Sequence, residues 1–378
     1  MTDGSRAERW LAAPSGPLEL LRHPYRPRSN LRAWDAADAY LLRHLAEDRP
    51  MGPLLVVNDG FGALTAGLRA AEPVTTADTT MAEVAILENL DRNGLAAVTV
   101  IPAVDGLADG TSLATVVIKV PKSLGQLEDQ LHRLRPYLGP TTTIVGAGMV
   151  RHIHTSTLEL FQTIIGPTTT SLAEQKARLI HCQPDPDLEP PENPWPMVWT
   201  HDGITVHNHG GVFSARSVDV GTRFLLEHLP DTAGPVAVVD LGCGNGIVGA
   251  ATARANPDAA VTFVDASARA VSSTRRTWAD NFGDRDATIR RTDRLVNVVE
   301  PGSIDVIVNN PPFHEDRAIG DATAWDMFVD SQVSLRRGGR LIVVGNRHLG
   351  HHARLKKIFG NCETVASNRK FVVLSARR

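Results

Sequence analysis

Four short landmarks occur twice in this chain, in the same order, and this repeat constrains the fold more than any single motif. VVNDGFGALTAGL at 56–68 matches VVDLGCGNGIVGA at 238–250, and VTTADTTMA at 74–82 parallels VTFVDASARA at 261–270. TVVIKVPKS at 115–123 then parallels DVIVNNPPF at 305–313, and GPTTTIVGAG parallels GGRLIVVGNR. Each landmark contains a β-branched run, and Ala/Leu/Arg-rich segments of helical pattern lie between them. That alternation is the rhythm of a parallel sheet with crossover helices. The chain is therefore expected to hold two tandem α/β domains, which suits 378 residues at ~150 residues per domain.

The boundary is read from CQPDPDLEPPENPWPMVWT at 182–200, where six prolines remove backbone donors and disfavour both helix and central strand. The expected organisation is a first domain over 1–181, a Pro-rich linker over 182–200 and a second domain over 201–378. A formal charge of −3 excludes coating of nucleic acid through bulk basicity, so any polyanion site must be local. Cys182, Cys243 and Cys362 lie far apart with no CxxC pair, which indicates neither a zinc site nor a disulfide framework. No metal is expected, and the compartment expected is a reducing cytoplasm. No apolar run approaches the ~18 residues of a membrane span, and the N-terminus carries no signal-like apolar core. No membrane partner is expected.

The second copy carries the chemistry. VAVVDLGCGNGIVGA at 236–250 reads as a strand, a tight turn through Gly242, Cys243, Gly244 and Gly246, and a helix start. Glycine permits positive φ and close approach of a ligand to backbone. Asp240 at the strand end suits a positively charged ligand, unlike the pyrophosphate of a dinucleotide. Asp265, followed by Ala266, ends a second strand 25 residues later, where a carboxylate can accept from both ribose hydroxyls or else cap the next helix. Asp293, after a third strand, is placed to accept from an adenine amino group or to sit in a surface turn. A positive centre, a ribose and an adenine together describe S-adenosylmethionine.

Asn310, Pro311, Pro312 and Phe313 follow the apolar run IDVIV at the same sheet edge, where open α/β sheets bind ligands. The Asn310 side-chain oxygen and the Pro311 carbonyl, stiffened by Pro312, can each accept a hydrogen from a planar NH₂ group. Those bonds draw the nitrogen lone pair out of conjugation, and Phe313 can stack on a base. The first copy reads as degenerate: aligned by sequence, Asn58 stands for Asp240, Leu64 for Gly246 and Val120 for Asn310.

The combination resembles class I methyltransferases acting on exocyclic or amide nitrogens, and more narrowly the two-domain ribosomal RNA guanine-N2 methyltransferases. The resemblance rests on the duplication, on NPPFH, on IHTSTLELFQTIIGPTTTSLAEQKARLI at 153–180, on HNHGGVFSARSVDVGTRFLLEHLP at 207–230 and on RLKKIFGNCETVASNRKFVVL at 354–374. The tail and the TTTSLAEQKARLI stretch look most like the large-subunit branch. The resemblance implies two Rossmann-like methyltransferase domains, with the degenerate N-terminal one holding RNA or supporting its neighbour. It further implies that Phe213, Asp219 and Gly221 precede the first catalytic strand and close over the methionine end of the cofactor. It makes Arg151, His152, His154, Lys176 and Arg178 candidate RNA contacts, and gives Asp293 a place where the family often carries Asn. A monomer acting on ribosomal RNA is expected. Two rivals remain open at this level: a protein-glutamine or adenine methyltransferase, which uses the same NPP chemistry, and a non-enzymatic RNA-binding assembly factor.

Overall fold

The computed structural model describes residues 8–27, 29–47, 52–312 and 317–378. It divides into two units, 1–195 and 196–378. In the first, a hairpin of β1 (Trp10–Ala13) and β2 (Gly16–Glu19) precedes helix α1 (Ala36–Glu47). There follow β3 (Leu54–Val57), α2 (Ala63–Gly67), β4 (Val74–Ala77), α3 (Thr80–Arg92), β5 (Val100–Pro102) and β6 (Leu113–Lys119). The unit ends with α4 (Leu124–Leu134), β7 (Leu138–Met149), α5 (Thr155–Ile164), β8 (Thr168–Thr170) and β9 (Ala177–Cys182). Its seven-stranded sheet runs β5-β4-β3-β6-β7-β9-β8.

The second unit repeats this plan. A hairpin of β10 (Met197–His201) and β11 (Ile204–Asn208) leads to α6 (Val220–Leu226), β12 (Ala237–Leu241), α7 (Ile247–Ala255) and β13 (Ala260–Asp265). Then come α8 (Ala268–Phe282), β14 (Thr288–Arg291), β15 (Ile304–Asn309) and α9 (Arg317–Ser334). Last are β16 (Leu335–Asn346), α10 (His351–Phe359), β17 (Glu363–Ser367) and β18 (Phe371–Arg377). The sheet order, β14-β13-β12-β15-β16-β18-β17, is the order of the first unit.

The central strands are apolar on both faces because helices cover both. In the second unit Val238, Val306, Val308 and Ile342 pack with Val248, Phe263 and Trp278. The alternate residues Val239, Leu241, Ile307 and Val343 pack on the opposite face with Phe328 and Leu355. Short polar caps start the crossover helices: Thr79 accepts from the Ala82 amide, Ser123 from Gln126 and Ser267 from Ala270, at 3.2, 3.3 and 3.2 Å.

Two expectations are corrected. The sheets are not wholly parallel: β9 runs antiparallel to both β7 and β8, and β18 to both β16 and β17. The connections within each final hairpin are too short for a crossover, so the partner strand must turn back. The Pro-rich segment is also shorter than 182–200 as an irregular stretch, because Cys182 closes β9 and Met197 opens β10. Up to Trp195 it packs on the first unit, where the indole N–H donates to the Glu128 carboxylate at 2.8 Å. The missing side chain of Gly125 makes room for that ring: a Cβ there would lie 2.5 Å from Trp195 Cζ2.

Candidate active site

In open α/β sheets the ligand crevice lies at the carboxyl ends of the strands where the order reverses, here between β12 and β15. The loop leaving β12 turns through Gly242, Gly244 and Gly246 with φ of 71°, 56° and 80°. At Gly246, the N-cap of α7, a Cβ would meet Thr274 at 3.0 Å, so both φ and space demand glycine. In front of Gly244 there is nothing within 4 Å, so the backbone stands open there.

Two carboxylates hold this loop. Asp240, 3% exposed, accepts from the Gly249 amide at 2.8 Å, tying the end of β12 to the first turn of α7. Burial pushes its pKa up to about 7, against the Gly249 hydrogen bond, and the nearby Asp265 charge raises it further. Asp265 accepts from the Gly244 amide at 3.0 Å and from the Ser267 amide at 2.9 Å, bridging the loop to the start of α8. Cys243 is buried and shares a 3.3 Å contact with the Thr274 hydroxyl. Burial first, then the Asp265 and Asp240 charges, hold its thiol well above the ordinary range. A thiol so held is a packing group rather than a nucleophile.

Asn309 and Asn310 leave β15 with different tasks. Asn309 donates to the Leu241 carbonyl at 2.6 Å, pinning the tip of β15 to the tip of β12. Asn310 donates through Nδ2 to the Thr222 hydroxyl at 2.9 Å, while its Oδ1 is buried with no partner among the described residues. Pro311 is buried and Pro312 exposed. A cleft at this sheet edge is lined among others by Asp240, Gly242, Cys243, Gly244, Phe213 and Asn310.

The remaining expected residues fall around it. Phe213 is 49% exposed on the segment after β11. That segment is tied to the glycine loop by Asn245, which donates to Asn208 Oδ1 at 2.7 Å, while Asn208 donates to the Val212 carbonyl at 3.1 Å. Gly221 lies in the first turn of α6, where a Cβ would come 3.0 Å from both Asp219 Oδ2 and the Phe371 ring. Asp219 caps α6, accepting from the Gly221 and Thr222 amides at 2.8 and 3.2 Å. Ala266 follows β13 beside Asp265, Asp293 is exposed two residues past β14, and none of these three is among the described residues that line the cleft. Phe313 lies outside the described residues. Sequence reasoning missed Thr222, Ser214, Asn245 and Trp199, all of which line the cleft. Thr222 carried a local signal, since it directly follows the Asp219-Val-Gly221 stretch.

The first unit shows what the same fold does without this site, and strand pairing corrects the sequence alignment of the two copies. Val57 and Leu241 are the last strand residues, paired with Ile118 and Asn309 respectively. Gly62 (φ 86°) and Gly246 (φ 80°) cap the next helices five residues later. In this register Val56, not Asn58, occupies the place of Asp240. Asn58 instead matches Gly242, and both have positive φ, 65° and 71°; asparagine tolerates that region better than most residues. Gly62, not Leu64, matches Gly246, and Lys119, not Val120, matches Asn310. Val57 and Leu241 pair with Thr76 and Val264, so Ala77 matches Asp265.

The groups corresponding to both carboxylates and the amide are thus absent from the first copy, although its helix-opening glycine is kept. In place of the amide, the Lys119 ammonium lies 2.6 Å from both Asp35 and Asp38. Burial opposes that charge, but Asp38 and Asp35 hold the Lys119 pKa above its usual value.

The RLMG N-terminal domain family matches residues 9–186, and the methyltransferase small domain family matches 203–375. A ribosomal RNA large subunit methyltransferase G from Streptomyces avermitilis is 50% identical over 97% of this chain and 98% of its own. The chain belongs to the ribosomal RNA large subunit methyltransferase G family. A second family member, from Aeromonas hydrophila, is 46% identical over 95% of this chain and 96% of its own. Among solved structures, a T. thermophilus 16S rRNA N2 methyltransferase in complex with AdoMet and guanosine superposes with a TM-score of 0.73 at 23% identity. It covers 98% of this chain and 97% of its own, which shows that both units of the fold are shared. No helix among the described residues is long and apolar enough to cross a membrane.

Proposed function

We infer that this chain transfers the methyl group of S-adenosylmethionine to the exocyclic N2 amine of a guanine in the ribosomal RNA of the large subunit. One observation carries the reading. The buried Oδ1 of Asn310 has no partner among the described residues, and Asn310 belongs to the same cleft as the open Gly244 backbone and the Asp240 carboxylate.

The lining suits the cofactor. Asp240 supplies an anion, the loop supplies close backbone approach, and no lysine or arginine is among the described residues that line the cleft. S-adenosylmethionine, when bound, supplies an electrophilic methyl group on positively charged sulfur. Asp265, at the end of β13, is the candidate acceptor for the ribose hydroxyls, and it also holds the Gly244 amide.

On the substrate side, Asn310 Oδ1 accepts one hydrogen of the amine, and the Pro311 carbonyl is the candidate for the other. These bonds favour a pyramidal nitrogen whose lone pair leaves the ring. The proton departs to water after attack, so neither a strong base nor a metal is needed. The guanine must be unpaired or flipped to enter, at ~2–4 kcal/mol, and Phe313 is proposed as its stacking partner. The first unit, its cofactor positions filled by Val56, Ala77 and Lys119, serves as the RNA-holding or supporting domain. We place this activity in the cytoplasm and expect a monomer to suffice.

Labelled methyl transfer from S-adenosylmethionine to a mixture of deproteinised ribosomal RNA and ribosomal protein tests the reading. Label in RNA supports it. Label in protein alone favours amide methylation of glutamine, and no labelling together with no cofactor binding favours an assembly factor.

A further inference from the structure

We propose that Thr222 is a positioning residue that fixes which end of the Asn310 carboxamide faces the cleft. This rests on the role given to Asn310 above and goes beyond it. The two ends of a carboxamide have nearly the same shape, and its terminal torsion is broad and roughly two-fold. Packing alone therefore does not distinguish an acceptor facing the substrate from a donor facing it. Only the first can accept a hydrogen from an amine; the second would meet that amine with hydrogens against hydrogens.

The Thr222 hydroxyl breaks the tie by accepting from Nδ2 at 2.9 Å, which leaves Oδ1 as a buried acceptor with no partner among the described residues. Thr222 is itself held: it is 5% exposed, and its amide is bound by the Asp219 cap of α6 at 3.2 Å.

A hydroxyl can also donate, so the direction of this bond needs a second observation, and the first unit supplies one. Asp35 caps α1 there, accepting from the Ala37 and Asp38 amides at 2.8 and 3.4 Å, as Asp219 does for Gly221 and Thr222. Asp38 therefore matches Thr222 just as Lys119 matches Asn310, and these two residues are 2.6 Å apart. A carboxylate only accepts and an ammonium only donates. In both copies the helix position accepts and the strand-end position donates. The first copy makes the contact as an ion pair and leaves no acceptor over. The second makes it with half of an amide, and the other half is the acceptor the reaction uses.

The test is single-turnover methylation of ribosomal RNA by Thr222→Val, which removes the hydroxyl at nearly constant shape, and by Thr222→Ser, which restores it. Loss of one neutral hydrogen bond predicts a roughly five- to tenfold slower chemical step for Thr222→Val, with RNA affinity little changed and most of the rate regained in Thr222→Ser. In an Asn310→Ala background Thr222→Val should cost no further rate, since there is no amide left to orient. The same fold loss in both backgrounds, or full rate in Thr222→Val, overturns the proposal. If Thr222→Val does not fold, Thr222→Ala takes its place. A readout independent of turnover is the Asn310 side-chain amide signal in asparagine-labelled protein, assigned by its loss in Asn310→Ala. Slow solvent exchange that Thr222→Val abolishes supports the contact, and an unchanged signal overturns it. Failure of the wild type to methylate RNA would strike at the proposed function, whereas that signal judges Thr222 by itself.

Discussion

Replacing Asp240 by asparagine should stabilise the protein without cofactor, and the gain should grow with pH. The buried carboxyl has its pKa raised from 3.8 to about 7, first by burial and then by the Asp265 charge, with the Gly249 hydrogen bond opposing. Between those values the folded state keeps a proton that the unfolded chain has released. Stability is therefore fully present below the unfolded pKa, falls as pH rises through the window and levels off above about 7. At 1.36 kcal/mol per pH unit the whole window amounts to ~4 kcal/mol, of which ~2 kcal/mol falls between pH 5 and pH 7. Asparagine retains an oxygen for the Gly249 amide and never ionises, so it removes the pH-dependent part alone. Urea unfolding of both proteins from pH 5 to pH 8 measures the difference. A gap that widens toward neutral pH supports the argument, and a gap independent of pH refutes it. The same carboxylate should face the cofactor's positive charge, so Asp240→Asn should bind S-adenosylmethionine more weakly even as it gains stability. In the wild type, binding should release a proton near pH 6.5, seen as a buffer-dependent heat.

Calorimetry should find one S-adenosylmethionine per chain, because Val56, Ala77 and Lys119 replace Asp240, Asp265 and Asn310 in the first unit; a stoichiometry of two would contradict that register. Lys119→Met should destabilise the protein by ~2–3 kcal/mol, less than a fully buried pair because Asp35 is 44% exposed. It should leave cofactor affinity unchanged, and adding Asp38→Leu should recover much of the loss, both read by denaturant unfolding.

The large features were legible because they rest on local chemistry. Glycine at Gly242, Gly244 and Gly246 is a statement about φ, and Asn310-Pro311-Pro312 at the end of an apolar run is a statement about a strand tip. Register was not legible. Central strands buried on both faces read as unbroken Val/Ile runs, which slide past one another in an alignment by one or two residues with no visible penalty. Only the pairing of Val57 with Ile118 and of Leu241 with Asn309, together with the shared positive φ of Asn58 and Gly242, fixes the true match. The partner of Asn310 was hidden for another reason: Thr222 is 88 residues away in sequence and meets it only through the fold. Asp293 looked equivalent to Asp265 as an acidic residue after a strand, yet Asp293 is exposed, whereas Asp265 accepts from the Gly244 amide of the glycine loop.

The central claim is that the Asn310 amide of the second unit drives methylation of a guanine amine in ribosomal RNA. The most direct test is nucleoside analysis of ribosomal RNA after a single turnover with wild-type and Asn310→Ala protein, alongside cofactor and RNA affinities. The account predicts N2-methylguanosine from the wild type. It predicts a rate lower by roughly 30- to 150-fold in Asn310→Ala, the equivalent of ~2–3 kcal/mol for a charge-assisted hydrogen bond made in the transition state, with both affinities retained. A different methylated nucleoside, or N2-methylguanosine formed at near-normal rate by Asn310→Ala, would contradict it.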